Sequence, residues 1–276
     1  MRLAVAATAP LGADVLERLA AVHDIEFLLT RPDRARGRGR KVGAPPAKEV
    51  ALRLGIPVRQ HQRLDESFSF DGVDTIVVAA YGALIPESLL DKAGWLNVHF
   101  SLLPRWRGAA PVERALMAGD SETGVTIHRT TAELDAGPIA AQRSFPIGPE
   151  DDAGVVYAQA GALAAELLAD VLGGNAELRP QPEEGATYAE RLTAADRRLD
   201  WSRPPEELLN RIRALSPHIG ARGEVDGRTL TVWRAAPARP DSPLVAGGLE
   251  LVEVQPEGRR RMSAEEYLRG LRGSGE

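Results

Sequence analysis

The residues best suited to do chemistry stand in one stretch, Trp95 to Pro111, which reads W-L-N-V-H-F-S-L-L-P-R-W-R-G-A-A-P. It begins as an apolar strand, with Asn97 and His99 two residues apart at its end. Side chains alternate along a strand with period two, so both point to the same face. An amide beside an imidazole at the carboxyl end of a strand suits a reaction at a carbonyl. The amide donates a hydrogen bond to an oxyanion, while the imidazole donates one or carries a proton. N-x-H by itself is a short pattern, and a single histidine at a strand end is more often structural. The run S-L-L-P then breaks the strand, and Pro111 is placed to open a helix.

The elements that must position this pair read as an alternation of strands and helices. Arg2 to Ala7 is a buried strand, and Gly12 to Val22 a helix with Val15, Leu16 and Leu19 on one face. Ile25 to Leu29 is a second strand, Pro46 to Leu54 a helix, Pro57 to Arg59 a short strand and Asp74 to Ala80 a continuous apolar strand. Such alternation predicts an α/β fold, a Rossmann-like, mostly parallel sheet with helices on both faces. The first turn, A-T-A-P-L-G, lacks G-x-G-x-x-G, which argues against a dinucleotide-dependent oxidoreductase. Pro111 to Ala118 reads as a helix, Glu122 to Arg129 as an alternating strand and Asp152 to Leu172 as a long Ala- and Leu-rich helix stopped by Gly173-Gly174. His128, on the alternating strand, is taken as structural.

Pro180 to Gly185 is polar and proline-containing and reads as a linker. Beyond it a helix is expected from Pro204 to Leu215, capped by Ser202 with Glu206 and Glu207 in its first turn. Short strands follow at Gly223 to Val225, Thr229 to Ala235 and Leu249 to Val254, then a last capped helix. The expected division is a catalytic domain over 1–178, a linker over 179–202 and a smaller β domain over 203–276.

Composition narrows the class. Apolar residues make up 43% and charged residues 26% of the 276, as in a globular protein, and no apolar run or signal-peptide pattern suggests a membrane partner. The absence of cysteine excludes disulfides, thiolate catalysis and zinc–thiolate sites, and a cytoplasmic setting is inferred. Net charge is −5, yet basic residues cluster at Arg31, Arg34, Arg36, Arg38, Arg40 and Lys41 within R-P-D-R-A-R-G-R-G-R-K-V. Glycine, proline and like-charge repulsion predict a mobile loop there, either solvated or lying along phosphates. No G-K-[ST] follows, so it is not a Walker A loop.

The long string N-V-H-x-S-L-L-P-R-W-R-G-A-A-P resembles the signature of the methionyl-tRNA formyltransferases among the folate-dependent formyltransferases. The resemblance implies 10-formyltetrahydrofolate as formyl donor, methionyl initiator tRNA as acceptor and no metal. It assigns Asn97 as the oxyanion's amide donor, His99 as its neighbouring donor, cationic during the step, and Asp135 of L-D-A-G-P-I as the group that orients His99. Ser101, Leu102, Leu103 and Pro104 would shape the folate pocket, and Tyr81 and Gly82 of Y-G-A-L-I-P resemble the loop that wraps the pterin. R-P-D-R-x-x-G-R-G-R-K is similar to the family's tRNA-contacting loop, and 203–276 to its OB-like β-barrel domain, as a monomer. That loop and R-W-R-G-A-A-P favour tRNA over an amino-sugar acceptor or water, while retention of Asn97, His99 and Asp135 opposes a silent RNA-binding protein. The chain departs from the family in its first turn, in D-A-G-P where D-T-G-D is usual, and in a short stretch between Ala236 and Leu249 that predicts a reduced barrel.

Overall fold

The computed structural model describes residues 1–36, 41–174 and 176–272. The chain forms β1 (Leu3–Ala7), α1 (Pro10–Ala20), β2 (Ile25–Thr30), β3 (Arg34–Arg36), β4 (Lys41–Gly43), α2 (Pro46–Arg53), β5 (Val58–Gln60) and β6 (Thr75–Ala79). Then come α3 (Glu87–Leu90), β7 (Gly94–His99), β8 (Arg107–Gly108), α4 (Pro111–Ala118), β9 (Glu122–Arg129), β10 (Ile139–Pro146), α5 (Ala153–Leu172) and β11 (Tyr188–Ala189). The chain closes with α6 (Pro205–Leu215), β12 (Ala221–Val225), β13 (Arg228–Pro237), β14 (Val245–Ala246), β15 (Leu249–Pro256), β16 (Met262–Ser263) and α7 (Ala264–Arg272). Two compact units result, one from Met1–Arg107, Gly124–Ser144 and Gln159–Tyr188, the other from Gly108–Thr123, Phe145–Ala158 and Ala189–Glu276.

The first unit is built on a sheet in the order β10-β9-β7-β6-β1-β2-β5. Strands β7, β6, β1, β2 and β5 run parallel, and β9 runs antiparallel to β7. The apolar runs of β1 and β6 are buried along almost their whole length, as parallel strands covered on both faces must be. Ala4, Ala6, Phe27, Leu29, Ile76, Val78 and Trp95 pack into one core, where the Trp95 Nε1–H is satisfied by the Leu89 carbonyl at 2.9 Å. The chain leaves β1 toward β2 and β5, then returns to β6 on the other side. Such a switch point opens a crevice at the carboxyl ends of the strands, where ligands bind in open α/β sheets. The ends of β6 and β7 deliver Tyr81, Gly82 and His99 to this edge.

Several details differ from the sequence expectation. Helix α1 starts at Pro10, earlier than Gly12, because proline at the first turn has no N–H to leave unpaired. Strand β10 carries no clean alternation and was not foreseen. The basic segment forms a hairpin, with Arg34 opposite Gly43, Ala35 opposite Val42 and Arg36 opposite Lys41, while Arg38 and Arg40 lie outside the described residues. Its root is pinned: Lys48 Nζ donates to Asp33 Oδ1 at 2.8 Å and to Gln60 Oε1 at 2.9 Å, and Gln60 Nε2 donates to the Arg31 carbonyl at 3.0 Å. Helix α5 has the length and apolar composition of a membrane span, contrary to the expectation that no run does. Its Val156, Ala160, Ala164, Leu167 and Leu168 are buried at helical spacing, however, and Glu166 pairs with Arg143 at 2.7 Å.

In the second unit β12, β13, β15 and β14 form an antiparallel sheet in that order, with β16 added to β15. Leu208, Ile212 and Leu215 of α6 pack against Val225, Leu230, Val232, Leu251 and Val254. The stretch between Ala236 and Leu249 is not bare: β14 pairs with β15 across the two-residue turn Gly247-Gly248, whose φ angles of 55° and 75° suit glycine. Ser202 does not cap α6. The cap position is Pro204, and the Ser202 hydroxyl donates instead to Asp200 Oδ1 at 2.7 Å.

Candidate active site

Asn97 and His99 project from the end of β7 to one side, as strand alternation requires. His99 is 4% exposed. Its Nε2–H donates to the Trp106 carbonyl at 2.8 Å, which leaves Nδ1 facing Asp135 Oδ2 at 3.6 Å. A backbone carbonyl is only an acceptor, so this contact fixes the tautomer of the neutral ring with the proton on Nε2. Burial lowers the His99 pKa, and the nearby His128 ring acts in the same direction, against the opposing effects of Asp135 and the Trp106 carbonyl. The ring is therefore neutral at neutral pH, with a bare Nδ1 beside a carboxylate.

Asp135 reaches this position from a tight loop in which its own φ is 49°. Gly137 lets the loop close on β9: a Cβ there would stand 1.8 Å from the Arg129 carbonyl oxygen. The Asp135 side chain is 12% exposed. Asn97 Nδ2 donates to its Oδ1 at 3.1 Å and also meets His128 Nε2 at 3.0 Å. With the His128 Nδ1–H directed at the Arg129 carbonyl at 3.1 Å, Nε2 is the acceptor. Both Asn97 N–H bonds are thus engaged inside the cluster.

His128, read as structural from its strand, joins this cluster. It stands directly opposite Asn97 in the antiparallel register of β7 and β9, and its Nε2 lies 3.6 Å from Asp135 Oδ1. Alternation along β9 showed which face it shared with Thr126; only the pairing of β9 with β7 gives the partner.

The S-L-L-P run is clamped beside the cluster. Ser101 is fully buried and its hydroxyl donates to the Arg105 carbonyl at 2.6 Å. Thr126 Oγ1 donates to the Ser101 carbonyl at 2.7 Å and accepts from the Leu103 N–H at 3.2 Å, and Gln142 Nε2 donates to the Leu103 carbonyl at 2.9 Å. Leu102 and Pro104 are half-buried and Leu103 is buried. Tyr81 is 2% exposed and packs in the core of the sheet; burial pushes its hydroxyl up to about 12. Gly82 is exposed, and its carbonyl accepts from Arg31 Nη1 at 2.8 Å. Of the basic residues, Arg31 is thus tied to the loop after β6. Arg34 Nη2 reaches Gln62 Oε1 at 3.4 Å, and Arg36 and Lys41 belong to the hairpin strands.

Two family models match the chain: Formyl transferase over residues 1–172 and Formyl transferase, C-terminal domain, over residues 191–245. Among curated proteins, the methionyl-tRNA formyltransferase of Methylococcus capsulatus is 38% identical, the match covering 97% of this chain and 96% of the relative. That of Alcanivorax borkumensis is 41% identical, covering 98% of this chain and 91% of the relative. A solved structure of similar fold is the N-formyltransferase from Helicobacter canadensis in complex with folinic acid and dTDP-3-aminofucose. Its TM-score is 0.66 at 17% identity, covering 91% of this chain and 97% of that one. With both models matched in order and identity of this level along nearly its whole length, the chain belongs to the formyl transferase family, among the methionyl-tRNA formyltransferases.

Proposed function

We propose that the protein transfers the formyl group of 10-formyltetrahydrofolate to the α-amine of methionyl initiator tRNA. The observation that carries the chemistry is the buried His99, its Nε2 bonded to the Trp106 carbonyl and its Nδ1 set beside Asp135. The acceptor and donor rest on the resemblance and on the relatives' names.

In this reading the amine attacks the formyl carbon, a C–N bond forms, and the carbonyl electron pair moves onto oxygen. His99 Nδ1 takes the amine proton and becomes cationic, with Asp135 stabilising that charge. The intermediate collapses as the bond to the folate N10 breaks, and the proton on His99 passes to that nitrogen. One proton enters the ring and one leaves. His99 thus begins as a base. Asn97 is the amide donor for the oxyanion, but its Nδ2 is engaged with Asp135 and His128. The formyl oxygen must therefore displace one of those contacts. Losing an oxyanion donor typically costs about a hundredfold to a thousandfold in rate. Leu102, Pro104 and Gly82 form the wall for the folate, Ser101, Leu103 and Tyr81 being buried, and the arginine-rich hairpin receives the tRNA phosphates.

The test is a paired assay with 10-formyltetrahydrofolate and either methionyl initiator tRNA or a panel of amino sugars. Folate-dependent formylation of the tRNA supports the reading. Transfer only to a sugar or to water keeps the catalytic cluster and overturns the acceptor; no transfer to any acceptor overturns the reaction.

A further inference from the structure

We propose that residues 179–188 are a strap that positions both halves of the catalytic pair, with Gln181 and Thr187 as its positioning residues. This rests on the site described above. The segment's composition is that of a tether, and a tether needs no fixed contacts. Here every polar group of one side chain is committed. Gln181 Nε2 donates to the carbonyls of Asp135 at 2.8 Å and Gly137 at 2.7 Å, the two that bracket the tight turn at the carboxylate. Its Oε1 accepts from Arg107 Nε at 3.2 Å and Nη2 at 3.0 Å, and Arg107 is 1% exposed. Arg179 exchanges backbone hydrogen bonds with Ile139 at 2.7 and 2.9 Å, which sets the strap against the start of β10.

Thr187 grips the other half. Its Oγ1 accepts from the Trp106 N–H at 2.9 Å, and its carbonyl accepts from the Arg107 N–H at 2.8 Å. These two bonds hold the peptide groups on either side of Trp106, a residue at φ 63° that persists only where its surroundings enforce it. The Trp106 carbonyl lies on the second of those peptides, and it receives the His99 Nε2–H. Gln181 therefore sets where the carboxylate stands, and Thr187 sets which His99 nitrogen is bare. A misplacement of about 1 Å in such a pair costs on the order of a hundredfold in rate.

The experiment compares Thr187→Val, Thr187→Ser and Gln181→Met in the full chain, with melting curves to follow the fold. Imidazole ¹⁵N–¹H spectra, assigned with a His99→Gln control, should show the Nε2–H tautomer of His99 in the wild type and in Thr187→Ser. Thr187→Val, of the same shape but without the acceptor, should shift it toward Nδ1–H. In the paired assay Thr187→Val and Gln181→Met should lower kcat about tenfold or more with little change in the KM for folate, and Thr187→Ser should recover most of it. The groups facing His99 are Asp135, His128 and the Trp106 carbonyl. Because Asp135 raises the His99 pKa, its displacement in Gln181→Met should move the acid limb of kcat to lower pH. An unchanged tautomer in Thr187→Val, with kcat within about twofold of wild type in both that variant and Gln181→Met, overturns the strap. If Thr187→Val does not fold, Gln181→Met decides by its acid limb and kcat. The tautomer spectrum requires no turnover, so a failure of the proposed reaction is seen separately in the wild-type assay.

Discussion

His99 is the residue on which charge, burial and register meet. Its neutral state follows from burial, and Asp135 opposes that effect. The sign for activity follows directly: a base works when unprotonated, so the rate should fall on the acid side as pH drops through the lowered His99 pKa. Asp135→Asn removes the carboxylate that raises this pKa, so its residual activity should persist to lower pH than the wild type's, at a kcat reduced about a hundredfold or more. A pH–rate profile of the two proteins checks both parts; an acid limb moving upward would remove Asp135 from this role. Asn97→Ala should lower kcat by about a hundredfold or more while the melting temperature stays within a few degrees. Asn97 and His99 were legible because a two-residue spacing on a strand fixes a shared face. Asp135 was not legible from spacing, since it arrives from a loop, and the family string supplied it. His128 was invisible for another reason: its partner lies on a strand paired in antiparallel register, and alternation on one strand says nothing about register with another.

At the scale of elements, the first turns of α4 and α5 meet in a buried polar pair. Glu113 is 8% exposed, accepts from the Tyr157 hydroxyl at 2.7 Å, and leaves Oε2 buried without a hydrogen-bond partner. Burial raises the Glu113 pKa above its ordinary 4.5, so the stability it contributes is full below about that pH and is lost as pH rises through the folded value. Glu113→Gln mimics the protonated form. It should raise the melting temperature at pH 8, by about 1 kcal/mol of stability, with the gain vanishing below about pH 4.5. Melting curves across that range would show it, and a destabilised variant at pH 8 would refute it. The helices around this pair were readable from periodicity and proline starts. The basic hairpin was not, because what holds it is the tie of Lys48 and Gln60 to Asp33 and Arg31 across the sheet. The Ser202 cap failed for a local reason: two prolines follow at 204 and 205, and the serine turns back to Asp200.

For the whole molecule, a net charge of −5 opposes a polyanionic substrate at long range, so affinity must come from where the free cations sit. Two members of the run Arg259 to Arg261 have partners within the protein. Arg261 stacks on Trp233 at 3.3 Å and donates to the Pro217 carbonyl, while Arg260 pairs with Glu266. In the proposed reading the hairpin carries the phosphate contacts, and its effect should be separable into charge and placement. Replacing Arg34 and Arg36 with glutamine should raise the KM for tRNA and flatten its dependence on salt by about one unit of log–log slope for each phosphate no longer neutralised. Lys48→Met instead removes the tie to Asp33 and Gln60 at the root of the hairpin and leaves Arg34 and Arg36 in the chain; it should raise the same KM while leaving the slope unchanged. Neither change should move the KM for folate. Titrating tRNA at several salt concentrations distinguishes the two effects, and a slope unaltered by the paired arginine substitution would show that the tRNA is held elsewhere on the protein.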